Sequence, residues 1–115
     1  SLYMPNNAVA EQAGEYISSL MAERDSCGGI IECIADRLPV GLGEPVFEKL
    51  DALLAQAVMS IGAVKGVEIG DGFKAALSTG SQNNDPFFAE DGHICKKTNH
   101  AGGSLGGMSD GSRLI

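Results

Sequence analysis

Two histidines and a cysteine lie close together near the end of the chain, at His93, Cys95 and His100. Imidazole and thiolate groups are the ligands that zinc prefers, so this cluster is a candidate metal site. Its spacing matches no common structural zinc pattern, and a fourth ligand is missing. We therefore expect no metal here, with exposed loop histidines and a half-buried cysteine.

The other two cysteines are candidates for a nucleophile, which needs a neighbouring base and an oxyanion hole. Cys33 lies in the middle of a predicted strand, and Cys27 precedes two glycines with no partner in view. Three cysteines without a CxxC pair are typical of reduced thiols in a cytosolic protein. The sequence therefore predicts no cysteine-based catalysis.

Two glycine-rich stretches, IGDGF at 69–73 and AGGSLGG at 101–107, offer a third kind of chemistry. Glycine lets backbone amides approach a phosphate closely, so either stretch is a candidate phosphate cradle. Neither has the GxGxxG or GxxxxGK[ST] pattern, and the net charge of −7 is unfavourable to anions. Tight turns are the favoured interpretation, and a phosphate cradle is the alternative.

The bulk properties limit the class of protein. The 115 residues, 43% of them hydrophobic, fit one small domain. The acidic net charge argues against nucleic acid as a partner. No apolar run of 18 residues indicates a membrane span, and no basic stretch followed by an apolar one indicates a signal peptide.

The periodicity of apolar residues predicts an α+β fold, with helices packed on an antiparallel sheet. Gly70-Asp71-Gly72 reads as a bulge or turn, and a hairpin is expected at Asp91-Gly92. We predict a mobile loop over 80–97, since long irregular segments are usually functional or disordered. The predicted helices cover 8–24 and 44–61, and the predicted strands cover 29–38, 63–69 and 73–77.

Several ordered motifs resemble the chorismate synthase family. The first two are DSCGG at 25–29 and PVGLGEPVF at 39–47. They are followed by AVKGVEIGDGF at 63–73 and by the Gly-Ser and Asn-Asp pairs at 80–81 and 84–85. Asn99 and the glycines of 102–111 match the glycine-rich segment of the family. The resemblance covers nearly the whole chain, most strongly 25–111.

The resemblance implies an activity and an architecture. Chorismate synthases convert 5-enolpyruvylshikimate 3-phosphate to chorismate and phosphate by a 1,4-elimination that needs reduced FMN. Some members also use NADPH to reduce the flavin. The family is a cytoplasmic homotetramer whose monomer packs helices between two sheets, and this chain would supply one sheet-and-helix half.

The resemblance also implies site residues. It places the helix-to-strand junction at Gly62 and Ala63 beside FMN, together with the turn at Gly106 and Gly107, and Asn99 would line the same pocket. The alternative for Gly62 and Ala63 is a simple helix stop. The catalytic histidines of the family belong to segments that this chain does not contain, so no catalytic residue and no metal ligand is predicted.

The ends of the chain lead to an expectation about its extent. It begins at Ser1 and ends on an apolar stretch at Leu114 and Ile115. We expect a single partial domain, 1–115, of a chorismate synthase, inactive by itself. The alternative is a stand-alone, non-catalytic module for flavin binding or assembly.

Overall fold

The computed structural model describes residues 2–115. They divide into two compact units, one up to Ile31 and one from Glu32 to Ile115. The first unit contains helix α1, Asn7–Ala22. The side chain of Asn6 caps α1 by accepting a hydrogen bond from Val9 N, which satisfies one of the free amides of the first turn. The helix predicted over 8–24 is confirmed, with its bounds at Asn7 and Ala22.

The second unit contains short elements joined by turns. Its helices are α2, Leu50–Met59, and α3, Gly80–Asn83, with a 3₁₀ helix at Gly72–Leu77 between them. Its four strands form two separate antiparallel pairs. They are β1, Phe87–Glu90, β2, His93–Lys96, β3, Ser104–Leu105, and β4, Met108–Ser109.

Helix α2 begins later than the sequence predicts. The sequence predicts a helix from residue 44, but the Glu44 N–H donates to the Glu48 carbonyl at 2.8 Å. In a helix the bond runs the other way, from the later amide to the earlier carbonyl. Residues 44–48 therefore form a turn. The first helical amide, Leu50 N, is bonded to the Gly107 carbonyl at 2.8 Å, so a distant segment determines where α2 starts.

The predicted strands outside the hairpins are not found in ladders. In 29–38, Ala35 alone pairs, in an isolated antiparallel bridge with Leu114. No strand is formed over 63–69 among the described residues. The strand expected over 73–77 is wrong, because the Asp71 carbonyl accepts from Lys74 N and starts the 3₁₀ helix. A strand needs a partner along its length, and apart from the single Ala35–Leu114 bridge the described chain provides none for these segments.

Two of the tight turns suggested by the sequence close hairpins. Asp91 and Gly92 join β1 to β2 with φ of +49° and +78°. Positive φ at both central residues is typical of two-residue hairpin loops. Gly106 and Gly107, with φ of +62° and +90°, join β3 to β4 in the same way. Helices beside small antiparallel pairs confirm the α+β class.

Large apolar side chains are unusually exposed. No hydrophobic side chain in 2–115 is buried, and Ile30, Ile31 and Phe47 are 100%, 94% and 91% exposed. The most enclosed residues are instead Ser109, which is 2% exposed, and the buried glycines Gly102, Gly103 and Gly107. The second unit is therefore organised around backbone contacts of its glycine-rich segment rather than around an apolar core.

The closest of these backbone contacts joins Gly70 to Gly102. A Cβ placed on Gly70 would meet the His100 carbonyl oxygen and lie 2.5 Å from Gly102 N. A Cβ on Gly102 would in turn overlap the Gly70 backbone. Both residues have positive φ, +61° and +63°, which is a second reason for glycine. Hydrogen bonds run beside the crossing, from Gly70 N to the Ile115 carbonyl and from Ile115 N to the Gly102 carbonyl.

We predict that Gly102→Ala destabilises the protein that contains this chain by about 2–4 kcal/mol, the sum of left-handed strain and a backbone clash. Gly66→Ala is the matched control, because a Cβ there meets nothing within 4 Å. Urea denaturation at neutral pH measures both variants. Equal midpoints for the two would contradict the backbone crossing.

Candidate functional site

The turn at Gly106 and Gly107 lies at the start of α2. Gly107 is buried, its carbonyl accepts from Leu50 N, and a Cβ on it would run into the side chain of Lys49. Gly106 differs, because it is exposed and a Cβ there would meet nothing within 4 Å. Gly107 is thus needed for close packing, whereas Gly106 presents bare backbone to open space.

The junction at Gly62 and Ala63 lies at the other end of α2. A turn closed by Val64 N and the Ile61 carbonyl, 3.3 Å apart, follows the helix. Ala63 has φ of +68° within this turn, a conformation that costs a residue with a Cβ roughly 1–2 kcal/mol. Gly62 is exposed and open. Strained residues in exposed turns often belong to functional sites.

These two turns are not brought together within the chain. Helix α2 has ten residues, which gives a length of about 15 Å at 1.5 Å per residue. Gly107 touches its first residue, and Gly62 follows its last turn. A flat ligand that contacted both turns would have to run along the length of the helix.

Asn99, the fifth candidate, has an almost fully engaged side chain. Its Oδ1 accepts from Lys96 Nζ at 3.1 Å and from Gly103 N at 3.0 Å, and its Nδ2 donates to the Arg113 carbonyl at 2.7 Å. A carboxamide offers two donors and two acceptor positions. One N–H of Asn99 is left for another partner.

A buried charge cluster lies beside Asn99. Lys96 Nζ is 2.6 Å from Asp110 Oδ2 and 3.4 Å from Asp85 Oδ2. The three side chains are only 3%, 9% and 6% exposed. One ammonium between two carboxylates leaves a single negative charge, which must be balanced by hydrogen-bond donors.

Asp85 receives those donors from the glycine-rich segment. Its two oxygens accept from the Thr98 hydroxyl at 2.7 Å, from His100 N at 2.8 Å and from Ala101 N at 2.9 Å. Burial alone would raise the pKa of Asp85. The Ala101 amide, the Thr98 hydroxyl, the His100 amide and the Lys96 charge outweigh it and hold this pKa well below its ordinary value.

The pKa of Asp110 is lowered for similar reasons. Burial would raise its pKa, but hydrogen bonds from Lys96 and Ser112 lower it on balance. The Ser112 amide donates to Asp110 Oδ1 at 2.8 Å. Both carboxylates of the cluster are therefore ionised at neutral pH, and both act as acceptors that tie neighbouring segments together.

The predicted loop residues His93, Cys95 and His100 separate in space and in role. His93 is exposed and pairs with Glu90 at the end of the β1–β2 ladder, whereas Cys95 is half-buried. His100 Nδ1 lies 2.6 Å from Asp71 Oδ2. A carboxylate only accepts, so this geometry places a hydrogen on Nδ1. Among the residues described, no group of three or more His, Cys, Asp or Glu could hold a metal ion.

Sequence patterns do not indicate the polar residues that organise this region. Lys49 packs against Gly107, and no hydrogen bond or ion pair from its side chain to other described residues is found. Lys96 and Asp110 belong to no short motif, and Asp85 stood out only as part of the Asn-Asp pair at 84–85. The sequence shows only that Lys96 lies in a polar stretch after the Asn-Asp pair, and such a position does not predict burial of a lysine. No helix in the described part of the chain is long and apolar enough to cross a membrane.

Comparison with known proteins gives the family. A sequence model described as "Chorismate synthase" matches residues 1–115, so the chain belongs to the chorismate synthase family. It is 60% identical over 115 residues to the chorismate synthase of Agathobacter rectalis and 54% identical over 114 residues to that of Archaeoglobus fulgidus. These matches cover 100% and 99% of this chain but 31% and 32% of the relatives.

A solved structure supports the same assignment. One titled "Crystal Structure of Chorismate Synthase" superposes with a TM-score of 0.84 at 38% identity, over 90% of this chain and 32% of that one. The chain thus spans about a third of the length of the relatives that it matches. The expected family is confirmed.

The low pKa of Asp85 predicts how stability depends on pH. In the unfolded chain an Asp titrates near pH 4 (about 3.9). Below that pH the unfolded state binds more protons than the folded state. The stabilisation by Asp85 is therefore complete above about pH 4 and is lost as the pH falls toward the lowered pKa.

The test is Asp85→Asn, measured by denaturation between pH 2 and pH 7. We expect a loss of about 3 kcal/mol at neutral pH, where a buried ion pair is broken, and a flatter acid limb. The exposed Glu15→Gln in α1 is the control and should keep the wild-type pH profile. An unchanged acid limb in Asp85→Asn would contradict the assignment.

Proposed function

We propose that the protein containing this chain converts 5-enolpyruvylshikimate 3-phosphate to chorismate and phosphate. The reaction is a 1,4-elimination of phosphate and a ring proton, and it belongs to aromatic amino acid biosynthesis. The single observation that carries this proposal is the family match over all 115 residues. The 0.84 TM-score over 90% of the chain supports it at the level of backbone geometry.

The cofactor of this proposal is reduced FMN, which the elimination needs although it has no net redox change. Gly62 and Gly106 fit a flat ring, since a Cβ at either position would face open space and the bare backbone can be approached closely. Ala63 and Gly107 shape the two turns, and Asn99 has one amide N–H free for a ligand. FMN would contact both ends of α2, or these turns would serve different parts of one extended site.

The acid and base groups of the reaction are proposed to lie outside these residues. His93 is an exposed hairpin residue, and His100 Nδ1 is engaged by Asp71. The net charge of −7 makes the chain a poor host for a phosphorylated substrate and a flavin phosphate. Basic groups from the remainder of a chorismate synthase would supply the positive potential. NADPH as flavin reductant, a homotetramer and a cytoplasmic location complete the proposal.

The exposed apolar side chains favour this proposal over a stand-alone module. Ile30, Ile31 and Phe47 are more than nine-tenths exposed, and no hydrophobic side chain of 2–115 is buried. Each fully buried side chain of this kind contributes roughly 1.5–3 kcal/mol. A chain that fully buries none of them lacks much of the main driving force for folding, and we propose that the rest of the polypeptide covers them.

A chimera tests the activity. This chain replaces the segment that it matches, at 60% identity, in the Agathobacter rectalis relative. We expect the chimera to form chorismate from 5-enolpyruvylshikimate 3-phosphate with reduced FMN, and the isolated 115 residues to form none. A folded chimera without activity beside an active parent would sink the proposal, and robust turnover by the isolated chain would overturn the assigned partial role.

A second test addresses the flavin contact. In the chimera, Gly62→Val should weaken FMN binding by about tenfold or more, because the branched side chain fills the space left for the ring. Stability should change little, since no atom lies within 4 Å of a Cβ there. Gly66→Val is the control at an equally open glycine. Flavin fluorescence titration measures Kd, and equal Kd values for the two variants would remove Gly62 from the site.

A further inference from the structure

We propose that Lys96 is a positioning residue for the flavin site, because its buried ammonium bridges the two ends of the β3–β4 hairpin. The turn of this hairpin, Gly106 and Gly107, is the part assigned to the cofactor above, so the inference rests on the proposed function. Lys96 does not contact the flavin in this assignment. It acts through Asn99 on one side and through Asp110 on the other.

The first arm runs from Lys96 to the start of the hairpin. Lys96 Nζ donates to Asn99 Oδ1 at 3.1 Å, and the same oxygen accepts from Gly103 N at 3.0 Å. Gly103 directly precedes strand β3. The ammonium therefore polarises and orients the carboxamide that holds the beginning of the hairpin, and it leaves one Asn99 N–H pointing elsewhere.

The second arm runs from Lys96 to the end of the hairpin. Lys96 Nζ is 2.6 Å from Asp110 Oδ2, and Asp110 directly follows strand β4. Asp110 N donates to the Gly103 carbonyl at 3.1 Å, which closes the base of the hairpin. The Lys96 side chain thus holds both ends of the hairpin, residue 103 through Asn99 and residue 110 directly.

The hairpin needs such an anchor because it is very short. Strands β3 and β4 have two residues each and only two register pairs, Ser104 with Ser109 and Leu105 with Met108. A two-stranded hairpin is marginal in water even when longer. The position of its turn therefore depends on what fixes its base, together with the bond from Leu50 N to the Gly107 carbonyl at its tip. Apart from the Lys96 cluster, the base is held by Ser109, whose amide and carbonyl bond Leu42 and Gly41.

The cluster also explains why a lysine is found in an enclosed position. Its side chain is 3% exposed, and three acceptors surround it, on Asp85, Asn99 and Asp110. A neutral side chain of similar shape would leave two carboxylates facing each other without a cation. The expected result is a displaced hairpin base rather than an altered ligand contact, and a displacement of about 1 Å can cost a hundredfold in a positioned site.

The experiment uses Lys96→Met in the chimera, with Lys97→Met as the matched control. Lys97 is the next residue and is exposed, and none of the side-chain hydrogen bonds or ion pairs found among the described residues involves it. Three quantities are measured: the FMN Kd, turnover as a function of FMN concentration, and the thermal midpoint without flavin.

We expect Lys96→Met to raise the FMN Kd at least tenfold, with turnover restored toward the parent value at saturating FMN, and Lys97→Met to leave both unchanged. Restored turnover at saturating FMN would show that Lys96 positions the site and is not catalytic. A thermal midpoint close to that of the parent without flavin would show that its role is not purely structural. A folded Lys96→Met variant with the parent Kd would overturn the inference, and so would a kcat loss that saturating FMN does not relieve.

Asp110→Asn keeps the inference testable if Lys96→Met does not fold. It removes one charge of the second arm and leaves Lys96 paired with Asp85 and Asn99. We expect a raised Kd of intermediate size, and a parent-like Kd in the folded variant would again overturn the inference. If the unsubstituted chimera itself fails to bind FMN, the proposed function fails first, which distinguishes the two failures.

Discussion

The second unit depends on one constraint, the close approach of backbones along its glycine-rich segment. Gly70 and Gly102 meet without room for a Cβ on either, and a Cβ on Gly107 would lie 2.6 Å from the Lys49 side chain. Because side chains are absent, amides and carbonyls of distant segments bond directly, as Leu50 N does to the Gly107 carbonyl. The start of α2, the turn at 70–72 and the last residues of the chain are all held by this segment.

The buried charge cluster is the second interaction that connects distant segments, and it is stable because every charge in it has a partner. Asp85 collects four donors, and Asp110 collects the Lys96 ammonium and the Ser112 amide. Removing water from three charges is costly, and only complete hydrogen bonding makes the arrangement favourable. The cluster links the base of the β1–β2 hairpin to that of the β3–β4 hairpin. The region predicted to be a mobile loop contains α3 and a hairpin anchored in this way, and its mobility stays a prediction.

The exposed apolar residues are those expected of a segment that packs against other parts of a larger protein. The isoleucines at 30 and 31 have the β-branched sequence of a buried strand, yet they are 100% and 94% exposed. Segments of this kind are stable when a neighbouring strand accepts their backbone hydrogen bonds and covers one face. The relatives are about three times as long as this chain, which leaves ample polypeptide for that role.

Local sequence determined what depends on neighbouring residues. The cap at Asn6, the helix after it, the hairpin at Asp91-Gly92 and the turn at Gly106-Gly107 follow from propensity and turn chemistry, and the ordered motifs were sufficient for the family. Tertiary structure alone decided that α2 starts at Leu50, that Lys96 is buried between Asp85 and Asp110, and that 30–34 pairs with no strand in the described part of the chain. These outcomes depend on contacts between residues far apart in sequence, whose free energies no local pattern encodes.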